Sequence, residues 1–389
     1  MRRAYIFAVT MLALAAIVVG VVALIGSGGA TPATPRIAGP TDAVAGPVSF
    51  RFSSREPGLA SSRLRYRCGI DSGAVARCTS PRVVQLSPGT RRFRVQALDP
   101  RGRHSAFAQR SVRVQARAPS VKVGSAPVDL TFGVNALWTA DWRGGTATRI
   151  ENGVVKARIQ VGGEPGGVAV AGGSVWVGNF EPDGQVSRID PAQNTVSGRF
   201  AFGGQPSGLL GDGNVLWVAD YSGSVERVDA RTGALVARVT IGGKPEALAL
   251  GFGLLWVTNE DGTLSAVDPA TNMVSGGKVT GDSDMDAVAV GPDAVWSTSY
   301  YGNSLLKIDP VSRRVVKRIK LGGAGAGVLV AGDAVWASVY DSAVVLRVDP
   351  DTGRITKRVW VGQQPREIVS DGTNLWVVNQ GSSTISKID

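Results

Sequence analysis

Aromatic side chains stand where tight turns usually carry glycine or Asx. Four positions after each of seven regularly spaced tryptophans come Trp142, Phe180, Tyr221, Glu260, Tyr300, Tyr340 and Gln380, so five of the seven positions are aromatic. Tyr and Trp pair an apolar body with a polar tip, and a rim of them can stack on sugars or peptide. The alternative is that each ring merely covers its own turn. Lys244 and Arg366 flank prolines in the facing turns and join this candidate ligand-binding set.

A second departure lies in the turn before each repeat's first strand. Five repeats carry Pro there (Pro127, Pro165, Pro206, Pro245, Pro365), but one has Gly281-Asp282-Ser283-Asp284-Met285-Asp286. Carboxylates at alternate positions, Asp282, Asp284 and Asp286, offer oxygen ligands to Ca²⁺ or a landing point for a cationic group. The turn lacks the Gly and the distant Glu of an EF-hand, and a solvated acidic turn is the plainer expectation. No other metal and no organic cofactor is expected. The Gly-rich turn of the next repeat, residues 322–327, opens a strand and lacks Gly-Lys-Ser/Thr, so it is no phosphate loop.

What the chain lacks narrows the chemistry further. It holds one histidine, His104, and two cysteines, Cys68 and Cys78, all before residue 120. A triad needs a base beside Ser or Cys, and zinc catalysis needs His, Cys or carboxylate clusters. Paired carboxylates around Asp284 and Glu246 remain conceivable for acid–base work, yet seven turns around one mouth bring acids together by chance. No catalytic residue is assigned.

These residues must be positioned by a repeat. Trp138, Trp176, Trp217, Trp256, Trp296, Trp336 and Trp376 are spaced 38, 41, 39, 40, 40 and 40 apart, and an acid closes each unit (Glu151, Asp190, Asp229, Asp268, Asp309, Asp349, Asp389). Within a unit, short runs of period two alternate with Gly, Pro and Asx turns, and no helical stripe of ten residues occurs. Four strands per 40-residue unit predict a seven-bladed β-propeller over 119–389. The Trp belong between blades as structure, and the closing acids belong to turns. The last unit stops before its fourth strand. The sequence 120–124 matches the missing one, so 119–123 is expected to complete that blade and remove an open edge.

The preceding third has a different character. Residues 1–119 hold 18 Arg, no Lys and 4 acids, a balance of +14 within a net charge of +11, so the repeat itself is slightly acidic. Met1-Arg2-Arg3 precedes the uncharged stretch 4–26, long enough to cross a bilayer and oriented by its arginines to place the rest outside the cytoplasm. A transmembrane signal anchor over 1–26 is expected, the alternative being a cleaved signal peptide and secretion. Residues 27–40 read as a linker. Residues 41–117 alternate as a β-sandwich, with arginines facing solvent. Cys68 and Cys78 are expected to form a disulfide in an exported chain.

The stretch carrying Phe50-Arg51-Phe52-Ser53-Ser54, Tyr66-Arg67-Cys68-Gly69-Ile70-Asp71, Cys78-Thr79-Ser80-Pro81 and 86–102 resembles bacterial immunoglobulin-like domains of exported proteins. That resemblance implies a spacer or adhesion module. Its sixteen arginines between residues 36 and 117 could hold an anionic cell-wall polymer, or be no more than the solvent-facing residues of the strands. Trp256-Val257-Thr258-Asn259 and Trp376-Val377-Val378-Asn379, with the Gly-Gly-x-Pro turns and Asp-Pro closures, resemble the YVTN/NHL-like propeller superfamily, closest in cadence to streptogramin (virginiamycin B) lyase-like proteins. Those lyases use a histidine and a magnesium-binding acid, and residues 120–389 contain no histidine, so no catalytic residue carries over. The expected function is recognition of a glycan, peptide or protein outside the cytoplasm; lyase activity and a plain adhesion scaffold are the alternatives. No nucleic-acid partner is expected.

Overall fold

The computed structural model describes residues 31–181 and 184–388, in two compact units, Met1–Ala116 and Arg117–Asp389. The expected membrane span over 4–26 lies outside the described residues. Among those residues no helix is long and apolar enough to cross a membrane.

The first unit packs a three-stranded sheet on a five-stranded one. The small sheet runs Arg36–Ala38, Gly46–Ser53, Arg82–Leu86; the larger runs Asp42–Val44, Ala108–Gln115, Gly89–Leu98, Arg65–Ile70, Ala76–Cys78. Alternation decides the faces: Val48, Phe50 and Phe52 point inward from one sheet and meet Phe93, Val95 and Val112 of the other. Phe50 and Phe93 stack at 4.2 Å. Cys68 and Cys78 are disulfide-bonded across neighbouring strands, with Cα atoms 5.9 Å apart. Arg36–Ala38, expected in the linker, is instead a strand paired with 51–53, because Ile37 finds an apolar seat on this core.

The second unit is built from seven antiparallel sheets among the described residues. Each meanders outward through four consecutive strands: 127–160, 165–201, 206–240, 245–280, 285–320, 325–360, and finally 365–387 with Ser120–Lys122 as its outermost strand. In that last sheet Thr384 pairs with Lys122 and Ser386 with Ser120, so the head of the unit supplies the strand its tail lacks. The outermost strand of 245–280 is broken into Met273–Val274 and Val279–Thr280 around Gly276. First strands neighbour one another in order, and the strand Pro127–Gly133 also touches Pro365–Ser370, which closes the circle. Their packing is tight: a Cβ on Gly208 would lie 2.0 Å from the Glu246 carbonyl oxygen, and one on Gly327 2.2 Å from that of Arg366.

The seven repeat tryptophans are 0–7% exposed and lie on second strands, inside the cores between sheets. A cation two residues before the closing acid covers the indole on four of them. Arg149, Arg188, Arg227 and Lys307 sit 5.4–5.7 Å from the rings of Trp138, Trp176, Trp217 and Trp296. Each then reaches the next sheet's outer turn, as Arg227 does with the Pro269 carbonyl (2.9 Å) and the Asn272 side chain (3.1 Å). The closing acids are Asx-turn acceptors: Asp190, Asp229 and Asp268 each take the N–H two residues on at 2.8 Å. Those turn hydrogen bonds hold Asp229 and Asp268 below the usual carboxylate range.

Candidate functional site

The circle of first strands encloses a cavity of about 600 Å³. Every first strand begins with a register shift, between Pro127 and Asp129, Pro165 and Gly167, Pro206 and Gly208, Pro245 and Leu248, Met285 and Val288, Gly325 and Val328, and Pro365 and Ile368. A bulge re-aims a side chain that strict alternation would send elsewhere. The residues at these bulges are mostly Gly, Ala or Ser. The charged exceptions, Asp129, Glu246, Asp286, Arg366 and Glu367, all line the cavity, as does the apolar one, Val128.

Four carboxyls and one guanidinium thus share a confined space. Asp129 is tied into the scaffold, accepting the N–H of Leu130 and that of Val168 on the next sheet, both at 2.7 Å. Burial pushes it up to about 6 despite those bonds and the nearby Arg366. Burial and the charges of Asp286 and Asp284 raise Glu246 to about 9, so it holds its proton at neutral pH. Burial and the charge of Asp286 bring Asp284 to about 6. Glu367 is pushed well above the carboxylate range by burial and by Asp129 and Asp286. Asp286 is raised by burial, against the pull of Arg366. Burial works against the charge on Arg366, but its neighbours, Asp286 foremost, outweigh it and keep the guanidinium positive. That guanidinium lies 5.6 Å from the centre of the Tyr340 ring. Its Nε, Glu246 Oε2 and Asp286 Oδ2 are buried without a hydrogen-bond partner.

The residues four positions past each tryptophan share one anchoring bond. Their backbone N–H groups donate to the residue sixteen positions earlier, in the facing turn: Trp142 to Ala126 (3.1 Å), Phe180 to Glu164 (2.7 Å), Tyr221 to Gln205 (3.0 Å), Glu260 to Lys244 (3.0 Å), Tyr300 to Asp284 (2.9 Å), Tyr340 to Ala324 (2.8 Å) and Gln380 to Gln364 (3.0 Å). So fixed, the side chains meet sideways across sheets rather than folding back over their own turns. Trp142 and Phe180 are 5.6 Å apart between ring centres, and Phe180 meets Tyr221 edge-on at 5.1 Å. The Tyr221 hydroxyl donates to Glu260, which also pairs with Lys244 at 2.7 Å, and the Lys244 ammonium stands 5.0 Å from the Tyr221 ring centre. A second arc joins Tyr300 to Tyr340 at 5.5 Å and the Tyr340 hydroxyl to the Gln380 side chain at 3.1 Å.

The candidate residues therefore gather unevenly. Trp142, Phe180, Tyr221 and Lys244 form one arc; Tyr300 and Tyr340 form the other and reach the cavity through Arg366. Asp284 and Asp286 face Glu246, but Asp282 does not join them. Its carboxylate is held by Arg318 at 2.9 Å and by the Ser304 hydroxyl. The three acids of that turn do not converge as Ca²⁺ ligands, because Asp284 adopts a left-handed backbone (φ 58°) and the strand beyond it carries Asp286 inward. Among the described residues no cluster of three acids, histidines or cysteines is arranged to hold a metal ion. Sequence reading missed Asp129 and Glu367. The signal was present as charged residues at bulge positions that other repeats fill with Gly or Ala.

Four-stranded antiparallel sheets set around a closed circle with a central channel define a β-propeller. The chain is similar in structure to hydrazine synthase from Kuenenia stuttgartiensis, with a TM-score of 0.62 and 18% identity over 69% of this chain and 97% of that one. At that identity the likeness concerns the fold alone. No family model and no curated protein matches the sequence.

Proposed function

We propose that this chain is a non-catalytic recognition protein acting outside the cytoplasm. In this reading a seven-bladed propeller of the YVTN/NHL-like, streptogramin-lyase-like kind is the binding head, and an immunoglobulin-like spacer holds it off a membrane anchored by residues 1–26. One observation carries the reading: two arcs of aromatic residues are pinned by the same backbone hydrogen bond, one lining a cavity with protonated carboxyls and the other meeting it through the unpaired guanidinium of Arg366. Such a mouth suits a glycan or peptide that stacks on the rim and sends a polar group inward. The disulfide fits an oxidising compartment. Elimination chemistry of the lyase kind is disfavoured because the one histidine, His104, sits in the first unit beside the Gln96 side chain (3.1 Å).

The test is capture from glycan and peptide arrays by the full chain and by a variant with Trp142→Ala, Tyr300→Ala and Tyr340→Ala. Wild type should retain a defined set of ligands, and the variant should lose them by more than about tenfold, as truncation of aromatic anchors does. Equal capture by both proteins refutes recognition at the rim. The exposed arginines of the first unit are a further proposed contact, with an anionic cell-wall polymer, and salt should release that contact.

A further inference from the structure

We propose that the channel takes a ligand bearing a cationic nitrogen, a primary ammonium or guanidinium, seated between Glu246 and Asp286 beneath the aromatic rim. This rests on the recognition reading and names the chemistry of its ligand.

The charges in the channel are mismatched. Asp129, Glu246, Asp286 and Glu367 share the cavity with one cation, Arg366, and Arg366 rests on Tyr340 rather than pairing with any of them. Glu246 Oε2 and Asp286 Oδ2 are buried carboxyl oxygens with no hydrogen-bond partner among the described residues, and both become acceptors once ionised. Buried polar groups in folded proteins are nearly always satisfied, so two such oxygens on one cavity wall mark where a donor from outside belongs. The rim shows the recognition chemistry in miniature. The ammonium of Lys244 is held by an aromatic face (Tyr221, 5.0 Å) and a carboxylate (Glu260, 2.7 Å). The cavity brings the same two chemistries together, with Trp142, Phe180 and Tyr221 in its lining alongside Glu246 and Asp286. An anion at Arg366 is the competing occupant, and the surrounding acids repel it.

Proton linkage gives the proposal a sign. The groups facing Glu246 are Asp286, Asp284, Glu260 and Arg366. An entering cation favours the ionised carboxyls, expels a proton and binds more tightly as pH rises. An anion at Arg366 favours protonated carboxyls and binds less tightly as pH rises.

Calorimetric titration of the full chain with spermidine, and separately with succinate, at pH 6.5 and 8.5 in two buffers of different ionisation heat, reads both affinity and proton release. Spermidine should bind at least about tenfold more tightly at pH 8.5 with release of about half a proton on average, and approach a hundredfold as release nears one full proton, as coupling to one carboxyl predicts. Glu246→Gln, which mimics the protonated side chain, should unfold at the wild-type temperature or above and bind without the pH rise. Asp286→Asn should bind at least about tenfold more weakly at pH 8.5, having lost a charge-assisted partner. Absence of spermidine binding, an affinity flat or falling with pH, or preference for succinate overturns the inference. An array ligand lost on rim substitution but lacking a cationic nitrogen leaves the recognition reading standing and removes this one. Equal capture by the rim variant removes the recognition reading itself.

Discussion

The tryptophan belt and the channel wall occupy adjacent strands of the same seven sheets, yet they follow opposite rules. In the belt every repeat keeps the same residue, buried between neighbouring sheets and often roofed by a cation from the next strand. At the wall the repeats diverge: Gly167, Gly208 and Gly327 stand where others place Asp129 or Glu367. Repetition marks what the circle needs in order to close, and divergence marks what the channel needs in order to discriminate.

The contrast can be broken hardest in the belt. Trp256→Ala should cost about 3–5 kcal/mol, because an indole with 0% exposure leaves a cavity that two sheets cannot collapse into. Chemical denaturation would show this as a lower midpoint at an unchanged slope; a loss below about 1 kcal/mol would place the belt outside the interface. A smaller effect is expected where the wall is pure packing. Gly327→Ala puts a methyl 2.2 Å from the Arg366 carbonyl oxygen, and the resulting shift should cost about 1–3 kcal/mol. The same measurement checks it, and a neutral result would mean that the first strands are free to separate.

The smallest and most telling effect concerns Glu246, where the wall carries charge at the expense of stability. Its folded value near 9 lies above the unfolded one, so its contribution is full below about pH 4.5 and fades as pH rises toward 9. Glu246→Gln removes that loss. The melting temperature of the variant should therefore gain on wild type as pH goes from 5 to 9, and a constant difference across that range would show that the carboxyl ionises freely.

The fold was legible because its signals are periodic. The 40-residue spacing placed the second strands, the Asx closures placed the outer turns, and the match of 120–124 to an outermost strand anticipated the pairing of Ser120–Lys122 with Thr384–Lys387. The rim was half legible. Its positions followed from the repeat, but the sideways chain of contacts depends on a backbone bond invisible in one repeat alone. Asp129 and Glu367 escaped because a bulge breaks the period of two by which strand faces are read. Arg149, Arg188 and Arg227 were not singled out for a different reason: alternation along a third strand does not tell what a cation packs against, and these lie on indoles and bridge neighbouring sheets.

The central claim is that the rim binds and the belt holds. It is tested most directly by recording ligand capture and thermal unfolding on one preparation of Tyr300→Ala/Tyr340→Ala. The expected outcome is capture lost with a melting temperature within about 4 °C of wild type, the shift of roughly 1–2 kcal/mol in a domain of this size. Capture retained while the melting temperature collapses, as in Trp256→Ala, would contradict the account.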